Sequence, residues 1–276
     1  MSLKEVAKET LDILKSGQFV TKSGKVIEFA AEQKQAEDGT RLYSPEINES
    51  LLENSPALNQ ENHCLVEVTE EKTQVAAYRL VNQEGCHDLV LLNFASARNP
   101  GGGFVNGAKA QEEDLARCSG LYPCQLKQPQ YYEKNRSNQS LLYTEHLIYS
   151  PRVPWFRTHS RKLLDRYFLA SVITAPAPNA GQVLCRNPDA GPEIERVLRR
   201  RAGYILAVAQ ENGHRSLLLG AWGCGVFCNN SSMVADAFGQ WLESPRFRGC
   251  FERVVFGIYD SSKSQDTLKA FRSRFE

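Results

Sequence analysis

The residues whose types and spacing could do chemistry lie in a glycine run and an acidic run that follow one apolar segment. The apolar segment covers residues 88–95, and a spacer of seven residues separates Gly101-Gly102-Gly103 from Gln111-Glu112-Glu113. Glycine lets the backbone approach a ligand closely, and the free N–H groups at a helix start favour negative charge. The two runs predict a cradle for phosphate or ribose oxygens, although an ordinary turn before an acidic helix start has the same pattern.

A second glycine-rich segment follows the apolar run at 216–221 and contains Gly223-Cys224-Gly225-Val226-Phe227. It does not complete the dinucleotide-binding fingerprint, because Cys228 stands at the third glycine position. The chain also has neither the P-loop pattern nor the Gly-x-Ser-x-Gly pattern. Nicotinamide chemistry, P-loop phosphoryl transfer and serine hydrolysis are therefore disfavoured.

Composition predicts a folded globular protein without a global surface for nucleic acid. Of the 276 residues, 42% are hydrophobic and 24% are charged, which is near the average for soluble proteins. The 33 Lys and Arg residues nearly balance the 32 Asp and Glu residues, for a formal net charge of +1. Binding of duplex nucleic acid through its phosphates is not expected, and any anion site must be local.

The cysteines and histidines do not have the spacing of metal ligands. The eight cysteines lack Cys-x-x-Cys pairs, and the five histidines show no metal-type spacing to one another. We therefore expect no metal, no cofactor and mostly buried, reduced thiols. Residues 1–20 lack the continuous apolar stretch of a signal peptide, and no window is long enough for a membrane span. These features predict a cytoplasmic location without membrane association.

Predicted strands and helices alternate along most of the chain, and they must position the glycine and acidic runs. Apolar runs predict strands at 64–69, 88–95, 146–150, 168–177, 216–221 and 251–260. Helical periodicity predicts helices at 72–82, 111–121, 189–212, 232–243 and 264–274. This order favours an α/β/α layered fold with a ligand site beyond the carboxyl ends of the strands. Residues 1–60 begin with a short amphipathic helix and turn polar, so they predict an accessory region packed on the core.

The segment NFASARNPGGGFVNGAKAQEEDLARCSGLY resembles the signature of the poly(ADP-ribose) glycohydrolase family. The segments LIYSPRVPWFR, SVITAPAPN and LGAWGCGVF resemble the microbial-type branch of that family. The resemblance implies a macrodomain-like three-layer α/β/α sandwich with a mixed sheet. The expected organisation is an N-terminal helical accessory region at 1–60 and a catalytic domain at 61–276.

The resemblance also implies roles for individual residues. Glu113 would be the general acid that protonates the departing ribose oxygen, and Glu112 would hold a ribose hydroxyl. The expected ligand-binding residues are Asn93 and Gln111 as polar orienters, Gly101, Gly102 and Gly103 beside the terminal ADP-ribose, Gly223, Cys224, Gly225 and Val226 around the diphosphate, and Phe227 on the distal ribose. Because successive helical residues point roughly 100° apart, Glu112 and Glu113 cannot flank one glycosidic bond as paired glycosidase carboxylates do. One of them must carry the proton.

The expected activity is hydrolysis of the ribose–ribose O-glycosidic bonds of poly(ADP-ribose) with release of ADP-ribose. The substrates would be poly(ADP-ribose) or ADP-ribosylated macromolecules. The alternatives are a macrodomain that only binds ADP-ribose, a mono-ADP-ribosylhydrolase, or an interaction scaffold that recruits partners through its N-terminal region, because a fold by itself does not determine an activity. The intact Gln111-Glu112-Glu113 run favours the glycohydrolase, since a protein that only binds needs no positioned acid.

Overall fold

The helices and strands agree closely with the predicted alternation. A computed structural model of the chain describes residues 1–54, 64–159 and 162–276. The helices of these residues are α1 (Leu3–Ser16), α2 (Ala30–Gly39), α3 (Pro45–Asn54), α4 (Thr73–Asn82), α5 (Gln111–Cys118), α6 (Leu121–Leu126), α7 (Pro129–Ser137), α8 (Ala180–Arg186), α9 (Gly191–Glu211), α10 (Ser231–Glu243) and α11 (Asp266–Phe275), with a 3-10 turn at Phe104–Asn106. Their strands are β1 (Gln18–Val20), β2 (Val26–Glu28), β3 (Arg41–Tyr43), β4 (Leu65–Thr69), β5 (Leu89–Phe94), β6 (Leu147–His159), β7 (Lys162–Ala175), β8 (Ser216–Gly220) and β9 (Arg253–Gly257).

Seven strands form one mixed sheet in the order β3-β6-β7-β5-β8-β9-β4. The strands β7, β5, β8, β9 and β4 are parallel, whereas β6 is antiparallel to both β7 and β3. The pair β1–β2 forms a separate antiparallel ribbon. The predicted mixed sheet is confirmed.

Both faces of the central strands are covered, which makes the fold a three-layer sandwich. Successive strand side chains point to opposite faces. Accordingly, Val90 and Leu92 of β5 pack in a cluster with helices α9 and α10, whereas Leu89 and Leu91 pack in a second cluster with α4 and α6. This double burial explains why β5 and β8 are almost continuously apolar in the sequence.

The two glycine-rich loops lie side by side at the carboxyl ends of two central strands of the sheet. Strands β5 and β8 are parallel neighbours, with Leu91 opposite Leu218, so their carboxyl ends point the same way. The first loop follows β5 and the second follows β8. A Cβ on Gly220 would meet the ring of Phe94 at 2.9 Å, which shows how closely the two strand ends approach.

The predicted helix at 111–121 is two helices, α5 and α6, and the break has a tertiary cause. Ser119 forms an isolated antiparallel bridge with Trp155, and the Gly120 N–H donates to the Pro154 carbonyl at 2.9 Å. Strand β6 thus takes the backbone groups that would have continued the helix. The strands predicted at 146–150 and 168–177 are also parts of a longer hairpin, β6–β7.

The N-terminal helix docks on α5 through a buried polar network. Arg157 is fully buried and donates to Thr10 Oγ1 at 2.8 Å, to the Arg117 carbonyl at 2.9 Å and to Glu9 at 2.6 Å. The predicted boundary of the accessory region, between residues 60 and 61, lies outside the described residues. Over the described ranges, no helix is both long enough and apolar enough to cross a membrane.

Candidate active site

The first glycine loop depends on backbone angles that favour glycine. Gly101 and Gly102 have φ values of +64° and +56°, in the left-handed region. A Cβ on Gly101 would meet the Phe104 ring at 2.8 Å and the Tyr122 ring at 3.2 Å. The glycines therefore let the loop turn tightly over this aromatic pair, whose ring centroids are 4.9 Å apart.

The start of helix α5 is held against strand β5 by the side chain of Gln111. Its Oε1 accepts the Phe94 N–H at 2.9 Å, and its Nε2 donates to the Leu92 carbonyl at 2.8 Å. These two hydrogen bonds tie the Gln111 side chain to the backbone of β5. The carboxyl groups of the next two residues, Glu112 and Glu113, lie close to Gly102 of the first glycine loop.

Both carboxylate oxygens of Glu112 accept hydrogen bonds in a buried position. Oε1 accepts from Asn93 Nδ2 at 3.1 Å and from Gln125 Nε2 at 2.8 Å, and Oε2 accepts from the Ser96 N–H at 2.6 Å. Burial raises the pKa of Glu112 to about 7, while these three donors oppose the rise. The three donors thus fix the position of the Glu112 carboxyl group, whose pKa lies near neutral pH.

Among the residues that the structure describes, Glu113 is held through one of its two oxygens. Oε1 accepts the Gly103 N–H at 2.9 Å. Oε2 is buried and has no hydrogen-bond partner among the residues that the structure describes. A buried carboxyl oxygen without a partner is costly, so its presence suggests a functional use. Its hydrogen-bonding capacity is therefore unused by the described residues.

Both carboxyl groups reach the same glycine. A Cβ on Gly102 would lie 2.9 Å from the carboxyl carbon of Glu113 and 3.2 Å from Glu112 Oε2. Both carboxyl groups therefore lie against Gly102 of the first loop.

The second glycine loop is folded back on itself by Asn229. The Asn229 side chain donates to the Pro178 carbonyl at 2.8 Å and to the Gly223 carbonyl at 3.0 Å. Gly223 has a φ of +73°, and a Cβ there would meet Ala177 and Asn229. The loop thus packs just beyond the carboxyl end of β7, and these contacts fix its shape.

The tip of the second loop presents free backbone donors. The N–H groups of Gly225, Val226 and Phe227 donate no hydrogen bond to any residue within the described ranges. Val226 is 83% exposed, and Gly225 is exposed as well. Cys224, in contrast, packs against the core, so only its backbone is placed to line a ligand site. Consecutive free N–H groups are suited to phosphate oxygens.

Phe227 is half-buried and contacts a residue that the sequence did not indicate. Its ring lies 5.9 Å from the ring of Tyr143, which has an unusual φ of +60° for a non-glycine residue. Phe227 also accepts the Gly181 N–H through its carbonyl at 2.9 Å. Trp222, directly before the second glycine loop, is fully buried and donates to the Ala175 carbonyl, so it is a core residue.

Sequence reasoning missed three polar residues that shape the site: Gln125, Thr174 and Asn229. Thr174 lies opposite Asn93 in the sheet and accepts from its amide at 3.2 Å. Gln125 donates to Glu112, and Asn229 folds the second loop. The only sequence signal is a polar residue in an apolar surrounding, as in Leu121–Leu126, and that pattern does not indicate a partner.

No group of three or more potential metal-ligating side chains occurs within the part of the chain that the structure describes.

Comparison with known proteins identifies relatives over most of the chain. Residues 7–158 match the family model described as microbial-type PARG, catalytic domain. The structure of poly(ADP-ribose) glycohydrolase from Thermomonospora curvata is 44% identical, with 99% of each chain covered and a TM-score of 0.94. The enzyme from Deinococcus radiodurans in complex with ADP-ribose is 46% identical, covering 88% of this chain and 97% of that chain, with a TM-score of 0.81. A search of curated proteins found no match.

Proposed function

Because this chain belongs to the microbial-type poly(ADP-ribose) glycohydrolase family, we propose that it hydrolyses the ribose–ribose O-glycosidic bonds of poly(ADP-ribose) and releases ADP-ribose. Its macrodomain-like fold is the fold of these relatives. The observation that carries the proposal is the carboxyl group of Glu113, which lies against Gly102 and whose buried Oε2 has no partner among the described residues.

Glu113 is the general acid and then the general base of the proposed reaction. Its Oε2 proton passes to the departing ribose oxygen as the bond from that oxygen to the anomeric carbon breaks. The anomeric carbon takes on oxocarbenium-like character, which nearby carboxylates stabilise electrostatically. Water then adds to this carbon and returns one proton to Glu113. The Gly103 N–H on Oε1 keeps the carboxyl group in one orientation throughout.

Glu112 holds a ribose hydroxyl in this proposal and does not move a proton. Oε1 already accepts two amide donors, whereas Oε2 accepts one donor among the described residues, the Ser96 N–H, and lies near Gly102. A hydroxyl hydrogen bond at Oε2 places the sugar against the first loop. Asn93 and Gln111 act indirectly, since Asn93 binds Glu112 and Gln111 binds strand β5.

The two loops divide the remaining recognition of ADP-ribose. Gly101, Gly102 and Gly103 let the backbone pass close to the terminal unit, and the free N–H groups of Gly225, Val226 and Phe227 bind the diphosphate. The Deinococcus radiodurans relative was solved with ADP-ribose, which supports this ligand class. ADP-ribosylated macromolecules are proposed as substrates, and a near-neutral charge argues against duplex nucleic acid as a binding partner.

Two features of the proposal concern the whole chain. Residues 1–60 form the proposed accessory region, and the network around Arg157 supports it by joining α1 to α5. A cytoplasmic location is proposed because the cysteines are free, as is typical of reducing compartments.

Incubation of the purified protein with labelled poly(ADP-ribose) tests the proposed activity. We expect time-dependent release of ADP-ribose, measured by chromatography of the labelled products. A mono-ADP-ribosylated protein and a poly(ADP-ribosylated) protein serve as parallel substrates. Release of single units from the mono-modified protein, with the polymer left intact, would instead indicate a mono-ADP-ribosylhydrolase. Binding of ADP-ribose without release from either substrate would indicate a binding domain.

Phe227→Ala is expected to lower turnover on the order of 10- to 100-fold, more than it weakens ADP-ribose binding. The ring orients the distal ribose so that the scissile bond faces Glu113, and its loss loosens the reacting geometry. Steady-state kinetics and calorimetric binding of ADP-ribose measure the two effects.

Phe275→Ala is the matched control for Phe227→Ala. Phe275 is also half-buried, and it packs on Phe256 in the core with a centroid distance of 4.3 Å. We expect this variant to melt earlier and to turn over normally once folded. If Phe227→Ala shows the same behaviour, Phe227 is only a packing residue and the placement of the ribose is wrong.

A further inference from the structure

We infer that Gln125 is a positioning residue that locks the first glycine loop and the ribose-binding carboxylate Glu112 into one rigid unit. This inference rests on the proposed function, because it assigns Gln125 a part in holding that same site. Gln125 lies on helix α6, outside both glycine loops and the acidic run. It is fully buried.

The two ends of the Gln125 amide have different partners. Nε2 donates to Glu112 Oε1 at 2.8 Å, and Oε1 accepts the Gly101 N–H at 2.9 Å. A carboxylate can only accept and a backbone N–H can only donate, so the orientation of the amide is determined. The position requires one donor and one acceptor bonded to the same carbon, and a glutamate could supply both only when protonated.

The contact with Gly101 acts on the geometry of the loop. Gly101 begins the left-handed pair Gly101-Gly102, and Gly102 is the residue against which both carboxyl groups lie. A hydrogen bond that holds the Gly101 backbone therefore also sets the distance from the loop to Glu112 and Glu113. Without it, the Gly101 N–H would be a buried donor with no partner.

The contact with Glu112 acts on the charge of that carboxyl group. Gln125 is one of two amides that share Oε1, and the other is Asn93. Glu113 on the same helix and the buried phenols of Tyr131 and Tyr132 on α7 also interact electrostatically with Glu112. Loss of the Gln125 donor removes a group that favours the ionised form of Glu112.

Gln125→Met and Gln125→Glu separate these effects. Methionine has similar length but neither hydrogen-bonding atom, so we expect kcat/KM of Gln125→Met to fall about 10- to 100-fold.

In Gln125→Glu, the glutamate can still accept from the Gly101 N–H, but when ionised it cannot donate to Glu112. As the pH falls, the introduced carboxyl group and Glu112 take up one shared proton, and the donor is regained. The activity of Gln125→Glu relative to wild type should therefore rise between about pH 9 and about pH 6, whereas that of Gln125→Met should show no such rescue.

Gln33→Met is the matched control. Gln33 is also a buried amide, and it donates to the Gly120 carbonyl next to α6 at 3.1 Å, but it forms no hydrogen bond with Glu112 or Gly101. We expect this variant to lose stability in thermal melts while its pH profile stays that of wild type.

The decisive measurement is independent of turnover. Carbon-13 NMR of glutamate-labelled protein, with the Glu112 signal assigned by Glu112→Gln, follows the Glu112 carboxyl group as pH is changed. We expect the pKa of Glu112 to move above its value of about 7 in Gln125→Met and to stay in place in Gln33→Met. An unchanged pKa together with wild-type kcat/KM would overturn the role of Gln125. If wild type releases no ADP-ribose, the proposed function fails, and the pKa of Glu112 still decides the Gln125 contact.

Discussion

Glu113→Gln is expected to turn over poly(ADP-ribose) on the order of 10²-fold or more slowly than wild type while ADP-ribose binding survives. The amide has the shape of the carboxyl group, and its oxygen can still accept the Gly103 N–H. It cannot give up and regain a proton at the position of Oε2. Turnover is measured with labelled polymer, and binding is measured by calorimetry with ADP-ribose.

Glu28→Gln is the control for this substitution, because Glu28 is exposed on β2 in the N-terminal ribbon. It should leave both turnover and binding unchanged. Near-normal turnover of Glu113→Gln would remove Glu113 from the mechanism and leave Glu112 as the remaining acid of the run. Loss of ADP-ribose binding in Glu113→Gln would instead show that its carboxyl group is needed to hold the ligand.

Gly102→Ala is expected to reduce turnover by about 10²-fold or more even in the folded protein, since small displacements of reacting groups have effects of this size. The added Cβ would lie 2.9 Å from the Glu113 carboxyl carbon and 3.2 Å from Glu112 Oε2. Both carboxyl groups must therefore move, or the loop must move away from them. The φ of +56° adds backbone strain of about 1–2 kcal/mol for alanine.

Gly85→Ala isolates the strain from the displacement. Gly85 has a similar φ of +73°, but a Cβ there would have no atom within 4 Å among the described residues. We expect thermal melts to show a loss of stability in both variants and kinetics to show a loss of turnover only in Gly102→Ala. Equal activity of the two folded variants would mean that the carboxyl groups tolerate the methyl group, and that the loop does not set their position.

Glu113→Gln and Gly102→Ala test two separate requirements of the proposed site, the proton and the geometry. Glu113→Gln removes the proton and keeps the geometry, whereas Gly102→Ala keeps the proton and changes the geometry. If turnover depends on a single acid held by a glycine loop, both variants lose activity for independent reasons. Glu112, whose pKa is raised to about 7 by burial, would then contribute by holding the sugar as an acceptor.

The sequence by itself was sufficient for the layered fold and for the strand ends that the two glycine-rich loops follow. Apolar runs predicted β5 and β8 to within two residues, because strands buried on both faces need continuous apolar side chains. The glycines after these strands and the acids at the start of α5 were also readable, since positive φ and helix starts select particular residue types. The family signature linked these local features to poly(ADP-ribose) hydrolysis.

Tertiary structure alone decided which of these residues act on one another. The end of α5 depends on a bridge from Ser119 to Trp155, and the environment of Glu112 depends on Asn93, Ser96 and Gln125. Local patterns report backbone preference and burial, whereas hydrogen-bond partners depend on where distant segments meet. The Glu113 oxygen without a partner among the described residues and the bridging amide of Gln125 are therefore properties of the packed chain, because each arises only when α5, α6 and the first glycine loop lie against one another.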